Sequence, residues 1–425
     1  MPSSKPRRIA LVVPSLEQGG GVPTVADFYC QTIERSGAFD VKLISLATSA
    51  RDDLGLSLTK PRTWLRGVVT QEGSWRGRHF TKVGALISEV ETRRHYPRPA
   101  LTALVNDCDL VQVVAGSPAS AFSVCGLGKP VSVQCATRIK VERTTRDARP
   151  SGALGWWRKY MTSFTDRMDD RALRSVDAIQ VSNQWMYEYA RALNNGRDVD
   201  IRFVPNGVNV QTLRPAEHGR NLQCDPYLLC VGRFSDPRKN LGLLIDAYSR
   251  IPEALRARVR LVLAGSTPPL PDFWRRVHEC GLTERVTFVD SPTLDELVRL
   301  YQRAAAFVLS SAEEGFGMVI VEAMSCGIPV VATACGGPNG IITDGNDGFL
   351  VDVDDVNTLS ERLTQLLSDP ALNLRMGRAG REAVLAKFEL RAAGDVLLDV
   401  YDRLLSRQSV FSIGVATETS LSCVE

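Results

Sequence analysis

The sequence predicts two α/β domains, each a doubly wound parallel sheet, facing each other across a cleft. Three observations carry this prediction. Short apolar runs alternate with helical stretches in both halves of the chain, the pattern of a sheet with helices on both faces. A segment rich in Pro, Gly and Asn, residues 205–226, separates the halves. The 425 residues, 44% hydrophobic and 23% charged, are enough for two ordinary cores.

In the first half, residues 8–13 (RIALVV) read as a strand, followed by the loop Pro14–Gly21 and a helix from Val22. Further strands are expected at 41–46, 110–114 and 129–134. The second half gives strands at Tyr227–Val231, Val259–Ala264, Val286–Val289, Ala306–Leu309 and Pro329–Ala332, with helices over 239–250, 272–280, 294–304 and 316–326. The expected organisation is a first domain over 1–208, a second over 209–388, a terminal helix over 389–406 and a disordered tail over 407–425. Doubly wound sheets bind ligands at the carboxyl ends of their strands, but that expectation names no chemistry.

Several classes are excluded. Lys5-Pro6-Arg7-Arg8 before Ile9–Pro14 has the outline of a signal peptide, yet the apolar run is too short and no small-residue cleavage site follows. No run is long enough to span a bilayer. The ten cysteines form neither CxxC pairs nor Cys/His zinc spacings and read as buried thiols in a reducing cytoplasm. Asp-x-Asp triplets at 107–109, 198–200 and 352–354 lie away from the phosphate-binding candidates below, so no metal is expected. Residues 1–210 hold 29 Lys+Arg against 20 Asp+Glu (+9), leaving 22 against 28 (−6) for the rest. A basic first half attracts phosphates, nucleic acid or an anionic membrane surface, or is simply a solvated face.

Three motifs carry chemistry. Gly19-Gly20-Gly21-Val22-Pro23 links the first strand to the first helix, where bare backbone can approach a diphosphate at a helix start. It is not GxGxxG, which argues against a nicotinamide dehydrogenase. Arg233, Arg238 and Lys239 follow a strand end, where a two-pronged guanidinium and a compact ammonium suit a diphosphate, or form an ordinary solvated turn. Glu314-Gly315-Phe316-Gly317-Met318-Val319-Ile320-Val321-Glu322 puts one carboxylate in a loop and another one to two turns into a helix. The bland alternative is a first-turn acid with an exposed helix charge.

In this order, together with Val204-Pro205-Asn206-Gly207-Val208-Asn209, Ala264-Gly265, Cys326–Ala332 and Gly336-Gly337, these motifs resemble the family 4 retaining glycosyltransferases of the GT-B fold, which pair two Rossmann-like domains. The resemblance covers 200–355 closely and the earlier part in layout. It implies transfer of a sugar from a nucleoside-diphosphate sugar to a glycan, glycolipid or small-molecule acceptor, without a metal or other cofactor. It implies that Arg233 and Lys239 bind the diphosphate, that Glu314 contacts the transferred sugar and that Glu322 binds the ribose. Backbone at Gly315, Phe316, Gly317, Met318 and Val319 would hold sugar and phosphate, Gly20 and Gly21 would approach from the first domain, and backbone near Ser291 would meet the base. Arg238 falls outside the family's pattern, and its replacement by Ala is expected to be mild. The family's first-domain histidine is missing from Val131–Thr137, where Gln134 or Thr137 would supply a hydrogen bond instead. Ser310 stands where a proline is usual, and no Glu follows Gly336-Gly337.

The acceptor is expected on the first domain. Trp156-Trp157-Arg158-Lys159-Tyr160, within a basic stretch, suits peripheral contact with the inner face of the membrane or an ordinary helix with its Trp residues in the core. No nucleic-acid partner is expected. The alternatives are a GT-B nucleotide-sugar epimerase and a non-catalytic nucleotide-sugar-binding protein.

Overall fold

A computed structural model describes residues 6–17, 21–49, 52–87, 89–146, 152–217 and 225–421. The first domain contains β1 (Arg7–Pro14), β2 (Phe39–Leu46), β3 (Thr70–Trp75), β4 (Arg78–Val83), β5 (Leu110–Ala115), β6 (Val131–Cys135), β7 (Ala178–Val181) and β8 (Asp200–Phe203). Their order is β3-β4-β2-β1-β5-β6-β7-β8, parallel except for the β3–β4 hairpin. The second domain contains β9 (Tyr227–Arg233), β10 (Arg260–Thr267), β11 (Val286–Asp290), β12 (Ala306–Leu309), β13 (Val330–Thr333) and β14 (Phe349–Val351). Its order, β11-β10-β9-β12-β13-β14, is parallel throughout.

The order in which strands are added reverses between β1 and β5 in one sheet and between β9 and β12 in the other. These are the two switch points at which a doubly wound sheet opens a crevice. Buried central strands such as β5 and β12, with every residue buried, account for the uninterrupted apolar runs in the sequence.

The linker and the terminal helix join the domains. Val208 N–H donates to Phe388 O at 2.8 Å. A Cβ on Gly207 would lie 2.6 Å from the Phe28 ring and 3.1 Å from Leu390 Cα, so only glycine lets these elements meet. From there the helix Leu390–Leu421 returns to the first domain, packing Ala393, Leu397, Val400, Tyr401 and Leu404 against Phe28, Tyr29 and Ile33. Their spacing of three and four residues makes one apolar face. The helix passes residue 406, where the sequence reading ends it. Of the tail expected to be disordered, 407–421 is helical backbone, with no proline and one glycine, Gly414, to interrupt it, and 422–425 lies outside the described residues. Among the described residues, no helix is long and apolar enough to cross a membrane.

Candidate functional site

The second domain's switch point gathers the residues singled out above. Strand β9 ends at Arg233. The Asp236 carboxylate then accepts the Arg238 N–H at 3.1 Å, closing the short turn Pro237–Lys239, and Asn240 takes a left-handed conformation (φ 47°) before the helix Leu241–Arg250. This turn points Lys239 back over the sheet edge. Its Cε lies only 3.2 Å from where a Cβ on Gly232 would stand, so Gly232 leaves room for the lysine. At the next strand a Cβ on Gly265 would fall 1.8 Å from Gly232 O, so the edge is built from bare backbone.

Past β12, Glu314 N–H donates to Cys335 O and Gly337 N–H to Glu314 O, tying the glutamate loop to the double glycine. A Cβ on Gly337 would lie 2.2 Å from Phe316 O. Gly317 (φ 102°) then starts the helix Met318–Ser325 with no side chain capping its first N–H groups. Such a terminus is suited to an anion or to sugar hydroxyls.

Lys239 Nζ donates to Glu314 Oε1 at 2.5 Å, and Ser311 Oγ donates to the same oxygen at 2.7 Å. Both side chains are sheltered, 16% and 15% exposed. Burial disfavours either charge, but each offsets the other's cost: the Lys239 pKa is raised and that of Glu314 is lowered. Arg233 is 48% exposed and stands 3.8 Å from Asp236, so its fork faces open space. Ser310, where proline was expected, donates through Oγ to Lys239 O at 2.9 Å and braces the lysine's backbone.

Glu322 accepts a hydrogen bond from Tyr301 OH at 2.8 Å; burial raises its pKa and the tyrosine opposes the rise. Ser291, at φ 47°, donates N–H to Gly265 O at 2.8 Å and Oγ to Asp290 Oδ1 at 2.9 Å, placing it at the end of β11. Gly21 opens the helix Gly21–Ser36, and a Cβ there would meet nothing within 4 Å. Gly20 lies outside the described residues.

Against this geometry, residues 216–383 match the family model of the glycosyl transferases group 1. That match lies within the second domain. A D-inositol 3-phosphate glycosyltransferase of Mycobacterium sp. (strain KMS) is 33% identical over 245 residues, 56% of this chain and 55% of that protein. A GDP-mannose-dependent alpha-(1-6)-phosphatidylinositol monomannoside mannosyltransferase of Mycolicibacterium smegmatis is 31% identical over 222 residues, 48% and 57% of the two chains. The chain thus matches just over half the length of these curated relatives. Sucrose-phosphate synthase from Thermosynechococcus elongatus superposes with a TM-score of 0.68 at 22% identity, covering 94% of this chain and all of the other. Anabaena HepE in complex with UDP-glucose gives 0.67 at 16%, covering 93% and 99%. The architecture is the GT-B fold.

Arg238 is not an ordinary solvated surface cation: it is 13% exposed and pairs with Asp236 at 2.7 Å, with Glu313 at 2.8 Å and, across the cleft, with Glu142 of the first domain at 3.7 Å. These carboxylates raise its pKa despite burial. Of the two candidates for the missing histidine's place, Gln134 donates to Ser182 Oγ at 3.2 Å inside the first domain, whereas the buried Thr137 hydroxyl has no partner. Glu313, Glu142, Tyr301 and Asn183 were not singled out in the sequence. Only Asn183 carried a local signal, as a cap-forming residue before a helix. Among the described residues, no group of three or more His, Cys, Asp or Glu side chains is placed to hold a metal ion.

Proposed function

We propose that the chain is a retaining, metal-independent glycosyltransferase that moves a sugar from a nucleoside-diphosphate sugar to a glycan, glycolipid or small-molecule acceptor. The observation that carries this reading is the Arg233–Lys239–Glu314 group at the second switch point, beside an uncapped helix start. Arg233 and Lys239 would meet the charge that gathers on the departing diphosphate, a preorganised stabilisation that grows toward the transition state. Glu322 would take the ribose and Glu314 the sugar. In the retaining course, the acceptor hydroxyl attacks the anomeric carbon from the leaving-group side, the bond to the phosphate oxygen breaks, and that oxygen takes the hydroxyl proton. No cofactor beyond the sugar donor is invoked, and full activity in EDTA is expected.

A glycolipid acceptor at a membrane surface is favoured by the first domain. On the helix Gly152–Leu173, Trp156 is 76% exposed, with Trp157 and Tyr160 more than half exposed beside Arg158 and Lys159. Trp157 and Arg158 line a polar cavity of about 300 Å³ together with Glu89, Glu91, Arg94 and Arg143. Leu58, Trp64 and Leu65 are also exposed, and Glu89 accepts the Leu58 N–H at 3.1 Å, so this apolar segment flanks the same cavity. Aromatics and cations around a polar mouth suit a headgroup presented by a bilayer. The relative named for a phosphatidylinositol monomannoside points the same way, whereas the one named for D-inositol 3-phosphate points to a small-molecule acceptor. The test is incubation with a panel of nucleoside-diphosphate sugars. Slow release of nucleoside diphosphate, accelerated by an acceptor, supports transfer; an isomerised sugar indicates an epimerase, and binding without turnover a scaffold.

A further inference from the structure

We propose that Asn183 is a positioning residue that couples closure of the two domains to the orientation of the Gly315–Phe316 peptide; the proposal rests on the transferase reading above. Asn183 follows β7 in the first domain and is fully buried. Its Oδ1 accepts the Met186 N–H at 3.0 Å, capping the helix Gln184–Leu193. Its Nδ2 donates to Ala136 O at 2.6 Å, in its own domain, and to Gly315 O at 2.7 Å, in the other. One acceptor and two donors are all used, and only this orientation of the amide satisfies all three partners.

The division of these bonds carries the inference. The cap and the Ala136 bond lie within the first domain, so they hold the amide in place however the domains stand. The remaining proton reaches across the cleft and finds Gly315 O only when the domains are together. Because a peptide is planar and trans, fixing the Gly315 carbonyl also fixes the Phe316 N–H on the opposite side, at the entrance to the helix Met318–Ser325. Gly315 permits the approach: a Cβ there would stand 2.7 Å from Ala136 Cβ. The seam continues on either side, with Trp185 3.7 Å from a Cβ built on Gly336 and Phe203 3.4 Å from one on Gly340.

Asn183→Asp separates this role from helix capping, because a carboxylate still accepts the Met186 N–H but offers no proton to either carbonyl. Asn183→Ala removes both. We expect N183D to melt below wild type, because its buried carboxylate faces two carbonyl oxygens, while the folded protein binds UDP or GDP within about twofold, the diphosphate contacts being in the other domain. Its turnover per folded molecule should fall roughly ten- to a hundredfold, because the bond that fixes the Gly315 carbonyl across the cleft is gone. Lowering the pH should restore part of the turnover relative to wild type, because protonating the introduced carboxyl supplies one donor. Small-angle scattering with nucleoside diphosphate should show a wider particle for N183D than for wild type. Wild-type turnover and wild-type scattering in N183D would overturn the proposal, as would losses in N183D and N183A that only track the folded fraction. A wild-type protein that transfers no sugar overturns the transferase reading instead, and scattering then decides the role of Asn183 by itself.

Discussion

Lys239 and Arg233 are both assigned to the diphosphate, yet replacing them should have different consequences. Lys239→Ala leaves the sheltered Glu314 carboxylate with only the Ser311 hydroxyl. Stranding one member of a buried pair costs about 3–5 kcal/mol. The residual exposure of 16% and 15% puts this pair at the lower end, about 3 kcal/mol. In a domain of this size that is a fall in melting temperature of roughly 6–12 °C. Arg233, half exposed and 3.8 Å from its nearest carboxylate, should change stability by less than about 0.5 kcal/mol when replaced by Ala. Both variants should lose turnover on the order of a hundredfold, as each removes a contact to the leaving group. Adding Glu314→Gln to Lys239→Ala should recover most of the melt, since the stranded charge is gone, but none of the turnover. The assays are thermal melts and steady-state donor kinetics on the four proteins. A K239A protein that melts like wild type, or a K239A/E314Q protein that regains turnover, would refute the reasoning.

Arg238→Ala should melt at least as low as Lys239→Ala, because Asp236 and Glu313 lose a shared buried cation; a melt within 2–3 °C of wild type, about 1 kcal/mol, would remove its structural role. His95 has its pKa pushed down to about 4 by burial, then by Arg98, Arg94 and Arg143. The folded chain therefore keeps this imidazole neutral while the unfolded chain protonates it below about 6.5, and stability should drain as pH falls from 6.5 toward 4, by at most ~1.4 kcal/mol per pH unit. Chemical denaturation across that range should give a shallower slope for His95→Gln; equal slopes count against it. Wild-type protein should sediment with anionic liposomes at low salt and be released at high salt, and Trp156→Ala with Trp157→Ala should abolish sedimentation. Sedimentation that ignores both changes would discard the membrane-facing patch.

Much of the fold was legible because central parallel strands are buried on both faces and leave unbroken apolar runs, as in Ile9–Val13 and Ala306–Leu309. The β3–β4 hairpin was not, because Thr70–Trp75 is largely exposed and polar and lacks a clean alternation. Within the site, Arg238 and Lys239 are adjacent cations that no local pattern distinguishes. Which one lies against Glu314 is set by the left-handed turn at Asn240 and by carboxylates from residues 142 and 313. Tyr301 reaches Glu322 from the preceding helix, and Asn183 reaches Gly315 from the other domain. Such contacts depend on how elements stack, which sequence periodicity does not encode.

The central claim is that a nucleoside diphosphate sits at the Arg233–Lys239 edge of the second domain, and a thermal-shift titration tests it most directly. At a hundredfold excess over Kd, a ligand bound only to the folded chain stabilises it by about 2.7 kcal/mol. We expect at least one of UDP, GDP and ADP to raise the wild-type melt, and the same ligand at the same concentration to give little or no shift with Arg233→Ala. No shift with any of the three, or a full shift in the Arg233→Ala protein, would contradict the account.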